Sequence, residues 1–237
     1  MAIQNVFTGI LARITDYLNY SNETSLIQEK LSTILSRFVA VEDWNTESIP
    51  WRILQSAMQY LEEVNDLHFD IFQKLISSSS VPEIRLKSFN MLTESMSKLR
   101  PNQNQDVQSK LWLLIRSNLQ WKSGRTSAVI RSSASLCLEL AFHHHVLDIR
   151  TDIVEDYLQV ILPLVEDETI STRKTACALL QHCCLMNQPI PKVHLMDAAF
   201  KCKTFSFFHE LLDSIIRLLW FHIFSLCLKI SLTSFFH

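Results

Sequence analysis

The chain has 237 residues, 48% hydrophobic and 19% charged, a balance that belongs to a folded protein and not to a disordered one. Its two glycines, Gly9 and Gly124, and six prolines exclude the glycine-rich phosphate loops of Rossmann and Walker sites and favour helices joined by polar loops. A formal charge of −2, from 22 basic and 24 acidic residues, gives no electrostatic footprint for DNA or RNA, so no nucleic-acid partner is expected.

Apolar residues recur every three or four positions along nearly the whole chain, Leu26, Ile27, Leu31, Ile34, Leu35 and Phe38 forming one such stripe. Turn-forming residues interrupt the pattern near 45–50, 77–82, 100–104, 123–126, 143–152, 166–169 and 187–191. The spacing predicts helices near 5–20, 24–40, 50–64, 67–77, 83–98, 105–119, 127–142, 152–165, 170–186 and 192–202, and no strand. The first residues, MAIQNVFTGILARITDYLNY, carry neither a basic segment nor a long apolar run, so a secretory signal is not expected. The six cysteines (Cys137, Cys177, Cys183, Cys184, Cys202 and Cys227) lie mostly in apolar periodic stretches, as buried free thiols of a reducing compartment do.

Three of the predicted helices superpose on an arginine near their start: Arg85-LKSFNML, Arg131-SSASLCL and Arg173-KTACALL. Each has a small residue three places on (Ser88, Ala134, Ala176) and a leucine seven places on (Leu92, Leu138, Leu180). The arginines are 46 and 42 residues apart, the period of HEAT and armadillo units. A small residue lets neighbouring helices approach, and the leucine one turn later fills the seam between hairpins. Asp167 precedes Arg173 by six residues, across the turn between paired helices, and resembles the Asp of a HEAT-repeat ladder of charge-assisted bonds. Ser79 and Arg125 stand at the corresponding places of the other two units, so the expected ladder is incomplete. The fold class expected is all-α, a right-handed α-solenoid of stacked HEAT-type helical hairpins over 1–202. Arg85, Arg131, Asp167 and Arg173 are its repeat-fixing positions.

The residues that invite chemistry have plainer readings. His143, His144 and His145 point about 100° apart on a helix, and their place at a predicted C-terminus suits caps to the helix dipole. His182, Cys183 and Cys184, near Cys177 and His194, lack the paired spacing of a zinc site, while Cys177, Leu180 and Cys184 recur as a core stripe does. Glu166, Asp167 and Glu168 read as a solvated turn followed by a helix N-terminus. No catalytic residues, no metal ligands and no cofactor are assigned, and an enzyme is not expected. Trp44, Trp51, Trp112 and Trp121 sit at helix ends with apolar neighbours and are read as packing between hairpins.

From about Phe200 the pattern changes, with eight of the fourteen Phe in the last 38 residues. The segment 203–237 is read as an atypical Phe-rich hydrophobic tail. Residues 218–236 are mostly apolar, carry Lys229 as their one Lys, Arg, Asp or Glu, and fall just short of a bilayer span, and that charge argues against a membrane anchor, which stays a secondary reading.

The stretches Trp121-KSGRTSAVIRSSASLCLEL and Tyr157-LQVILPLVEDETISTRKTACALL, together with Glu83-IRLKSFNML, resemble the C-terminal repeats of the HEAT-repeat dynein axonemal assembly factors. The resemblance runs over about 45–200, and Gly124-RTSAVIR is its most specific piece. It implies a cytoplasmic factor that helps preassemble axonemal dynein arms, with dynein chains and other assembly factors as protein partners and without enzymatic activity or cofactor. The alternative is a general HEAT/armadillo adaptor in transport or regulation, tethered to a membrane through its tail in one version.

Overall fold

The computed structural model describes residues 44–58, 63–101, 103–120, 122–148 and 154–185, with scattered positions between 33 and 41. The helices expected over 5–20 and 192–202, most of the one over 24–40, and the tail at 203–237 lie outside the described residues. Every described element is helical: α1 (Ile49–Met58), α2 (Asp66–Ile76), α3 (Pro82–Met96), α4 (Gln105–Arg116), α5 (Arg125–His143), α6 (Val154–Ile161), a 3-10 helix (Leu162–Glu166) and α7 (Ile170–Leu185). They form an all-α fold of stacked HEAT-type hairpins.

Local chemistry sets the ends of these helices. Ser48 opens α1 by accepting the amide of Trp51 through its hydroxyl at 3.3 Å. Asn65 caps α2, and Asn104 caps α4 by accepting the Val107 amide at 2.9 Å. Pro82 stands in the first turn of α3, where a missing N–H costs nothing. Gly124, at φ +101°, sits immediately before α5 in a backbone region that L side chains rarely adopt. The single helix expected over 152–165 is α-helical only to Ile161. Pro163 has no amide proton to continue the ladder and its ring crowds the preceding turn, so the chain tightens to a 3-10 helix.

The chain divides into two compact units. In the first, which holds α1 to α4, α2 pairs with α3 as a hairpin, α4 packs beside α2, and α1 packs beside α3. First helices therefore stack on first helices and second on second, the order in which a hairpin buries both faces. Leu54, Ile71, Phe72, Leu75, Ile76, Phe89, Leu92, Met96, Leu111 and Ile115 make its interior, each at most 2% exposed. Ser95 joins two of these helices through its hydroxyl, which donates to the Met58 carbonyl at 3.1 Å.

In the second unit, α6 and the 3-10 helix pair with α7, and α7 packs along α5. The seam between α5 and α7 is built from the repeated positions, with Ala134, Leu138, Ala176 and Leu180 all fully buried. In the first unit, Ser88 and Leu92 hold the same two places and are equally buried. Ser88 meets its own hydrogen-bonding need by donating to the Ile84 carbonyl at 2.7 Å, so a hydroxyl is tolerated where α5 and α7 use a methyl. Phe142 and Tyr157 close this core edge to face, their rings 5.6 Å apart at 68°. No described helix is long and apolar enough to cross a membrane.

Candidate functional site

The polar positions that recur with the repeat each find a defined partner. In the second unit, Arg131 near the start of α5 donates through Nε to the Asp167 carboxylate, with side-chain exposures of only 1% and 2%. Its other nitrogens reach the Lys122 carbonyl at 3.3 Å and Glu168 at 3.5 Å. Asp167 follows the 3-10 helix, and its second oxygen accepts the Thr169 amide at 2.9 Å and the Thr169 hydroxyl at 2.7 Å. Desolvation alone would raise the Asp167 pKa, but the bonds from Arg131 and Thr169, with the charge of Arg131, outweigh it and hold the carboxyl below its usual range. Arg173 does not bind the Asp167 carboxylate. It donates to the backbone carbonyls of Asp167 at 2.7 Å and Glu168 at 3.3 Å, tying α7 to the turn before it.

Arg85, half-buried on α3 in the first unit, bonds to Asn118 at the end of α4. Burial lowers its guanidinium below the ordinary value, and it remains a cation at neutral pH. Asn118 also donates its amide to the Ile76 carbonyl at 3.3 Å, closing the C-terminus of α2. This double duty explains an amide where the second unit has a carboxylate, because an amide both accepts from the arginine and donates to the carbonyl, whereas an ionised carboxylate can only accept. Ser79, six residues before Arg85, bonds with the Ser77 hydroxyl at 2.9 Å instead, and Arg125 lies exposed at the start of α5.

At the other end of α2, Asn65 and His68 form a reciprocal capping box. The His68 amide donates to Asn65 Oδ1 at 3.2 Å, and the Asn65 amide donates to His68 Nδ1 at 3.3 Å. Nδ1 must be unprotonated to accept, and burial holds the imidazole neutral, its pKa lowered to about 4. Along the C-terminal half of α2 and the turn that follows it, a cleft of about 730 Å³ is lined by Trp44, Asp70, Lys74, Ser77, Ser80 and Ile84 among others. Lys74 there donates to the Val39 carbonyl, and the Ser80 hydroxyl to the Lys74 carbonyl. Of the tryptophans, Trp51 and Trp112 are buried in the core and Trp121 lies outside the described residues.

The chain is similar to dynein axonemal assembly factor 5. The mouse protein is 31% identical over 115 residues, which cover 44% of this chain and 13% of the relative. The human protein is 28% identical over 113 residues with the same coverage, and the Xenopus laevis protein 29% identical over 156 residues, or 59% of this chain and 19% of the relative. The chain thus spans between 13% and 19% of the length of these relatives. No family model and no solved structure matches it.

Three features escaped the reading of the residues alone. Asn118 lies 13 positions before Arg131, not six, so no fixed offset marks it as an acceptor. His68 carries a single signal in the sequence, Asn65 three places before it, which is the spacing of a capping box. His143 and His182 belonged to two separate clusters in the sequence. The structure ends α5 at His143, puts His145 in the left-handed region at φ 56°, and sets His143 beside His182 and Glu139.

Proposed function

We propose that this chain is a non-enzymatic protein-binding scaffold of the HEAT/armadillo kind, acting in the cytoplasm in the preassembly of axonemal dynein arms. The observation that carries the reading is the match to dynein axonemal assembly factor 5 from three vertebrates, on a chain whose described elements are stacked helical hairpins. Hairpin stacks display long rows of helix-face side chains to large clients, and their polar interior bonds hold register instead of doing chemistry. Arg85, Arg131, Asp167 and Arg173 are assigned this register role because each bonds between helices or between a helix and its entry turn. The partners proposed are dynein chains and other assembly factors, and neither a cofactor nor nucleic acid enters the mechanism.

Affinity purification of the full chain from ciliated cells tests the reading. Dynein heavy or intermediate chains are expected to co-purify, and to be lost when Leu138→Asp disrupts the seam. Recovery of import receptors or phosphatase subunits without dynein chains would move the protein to the general adaptor class.

A further inference from the structure

We infer that Glu139, His143 and His182 form a binding site for a zinc-class divalent metal ion that staples the end of α5 to α7. One ligand atom from each of the three lies within 4.8 Å of the other two. Glu139 and His143 are one helical turn apart on α5, so both side chains project from the same face. His182 enters from the last turns of α7, its Nε2 3.9 Å from Glu139 Oε1 and its ring 6.3 Å from that of His143 at 71°.

The register of the stack makes the meeting systematic. Ser132 and Ser171 hydrogen-bond across the same seam at 2.7 Å and stand 39 residues apart, the same separation as His143 and His182. The histidines come eleven residues after the serines on both helices, close to three full turns, so they face each other for the same reason. The Arg131 to Asp167 bond holds the opposite end of this helix pair.

Two imidazoles and one carboxylate are borderline donors that suit Zn²⁺ and its late first-row neighbours, whereas Mg²⁺ and Ca²⁺ take oxygen. Tetrahedral Zn²⁺ with ligands at about 2.0–2.2 Å needs its donors roughly 3.3 Å apart. The remaining approach is on the order of 1 Å, within reach of side-chain torsions at positions where Glu139 and His182 are half-buried and His143 is exposed. Helices α5 and α7 both end close to the cluster, and the partial negative charge of their C-termini favours a cation there. Three protein ligands leave a fourth position for water or for a donor from a bound protein.

A simple Glu139 to His182 ion pair would need neither a metal nor His143, and the test turns on that difference. Chelator-treated full chain is titrated with Co²⁺, followed by its visible absorption, and with Zn²⁺ by calorimetry, with Mg²⁺ as the control. One equivalent of Co²⁺ with a four-coordinate nitrogen and oxygen spectrum, displaced by Zn²⁺, is expected. Zn²⁺ should also raise the unfolding temperature of the wild-type chain. Glu139→Gln, His143→Ala and His182→Ala should each weaken binding at least tenfold and abolish that rise, while a His144→Ala/His145→Ala variant behaves as wild type. His143 is exposed, so its removal does not threaten the core. Absence of uptake, a thiolate charge-transfer band, or unchanged binding in His143→Ala would overturn the site.

Discussion

Arg131 and Asp167 are 36 residues apart in sequence, and each is the other's buried ionic partner across two consecutive hairpin elements. The arginine stands at the repeated position near the start of α5, and the carboxylate in the turn that leads into α7. A bond of this kind fixes how far one helix slides along the next. Helix dipoles, seam methyls and leucines would tolerate several offsets, whereas a fork of donors that needs one carboxylate tolerates far fewer.

Breaking the pair on one side should be costly. Asp167→Ala leaves the buried guanidinium with only its longer contact to the half-exposed Glu168, and Arg131→Met leaves a buried carboxylate without a cation. Each is expected to lower stability by about 3–5 kcal/mol in urea unfolding followed by helicity. The double variant Arg131→Met/Asp167→Leu should recover most of that loss, and a double-mutant sum equal to the two singles would show that the pair is not coupled.

The same pair confers acid sensitivity. The folded pKa of Asp167 is depressed, so its contribution is complete above the unfolded value of about 3.9 and is lost as pH falls from there through the lower folded value. Asp167→Asn should flatten the stability profile below about pH 4 and leave its shape near neutrality unchanged.

His68 should impose a second, separate pH dependence on the first unit. With a folded pKa of about 4 against an ordinary 6.5, the unfolded chain binds the extra proton between those values, so stability rises with pH across that window. The loss on acidification from pH 6.5 to 4 is on the order of 3 kcal/mol, and protonation of Nδ1 also removes the acceptor of the Asn65 amide. His68→Gln retains an acceptor at the third helical position and should remove the dependence over that range.

At Asn118, a carboxylate is expected to do worse than the amide despite facing an arginine. Asn118→Asp presents an oxygen to the buried Ile76 carbonyl in place of a donor, which loses a hydrogen bond and adds repulsion. Thermal unfolding at pH 7 should show a destabilisation of roughly 1–3 kcal/mol. A stabilised variant would mean that the Arg85 interaction dominates this site.

Leu138→Asp tests the seam itself. Leu138 is fully buried among the repeated small residues and leucines, and an unpaired carboxylate there should cost roughly 4 kcal/mol or more. Circular dichroism that kept both its amplitude and its melting temperature would contradict the packing described for α5 and α7.

Scarce glycine and three- and four-residue periodicity broken by turn-forming residues determined the helical class, the approximate limits of the described helices and which side of each is interior. Ala134, Leu138, Ala176 and Leu180 could be recognised as seam residues because burial repeated with a helical period is written locally in the chain. Among the described residues local rules failed where a proline turned the end of α6 into a 3-10 helix, and at Asp167, whose place in an acidic turn suggested solvation although Arg131 holds it in the interior. The partners of Arg85 and Arg131, the double bond-making of Asn118, the neutral His68 and the meeting of Glu139, His143 and His182 were decided by tertiary structure. The Arg85–Asn118, Arg131–Asp167 and Glu139–His182 contacts join residues 33 to 43 apart, and which of them face each other depends on the register in which hairpins stack. Composition and periodicity leave that register free, because an apolar stripe can bury itself equally well at more than one offset.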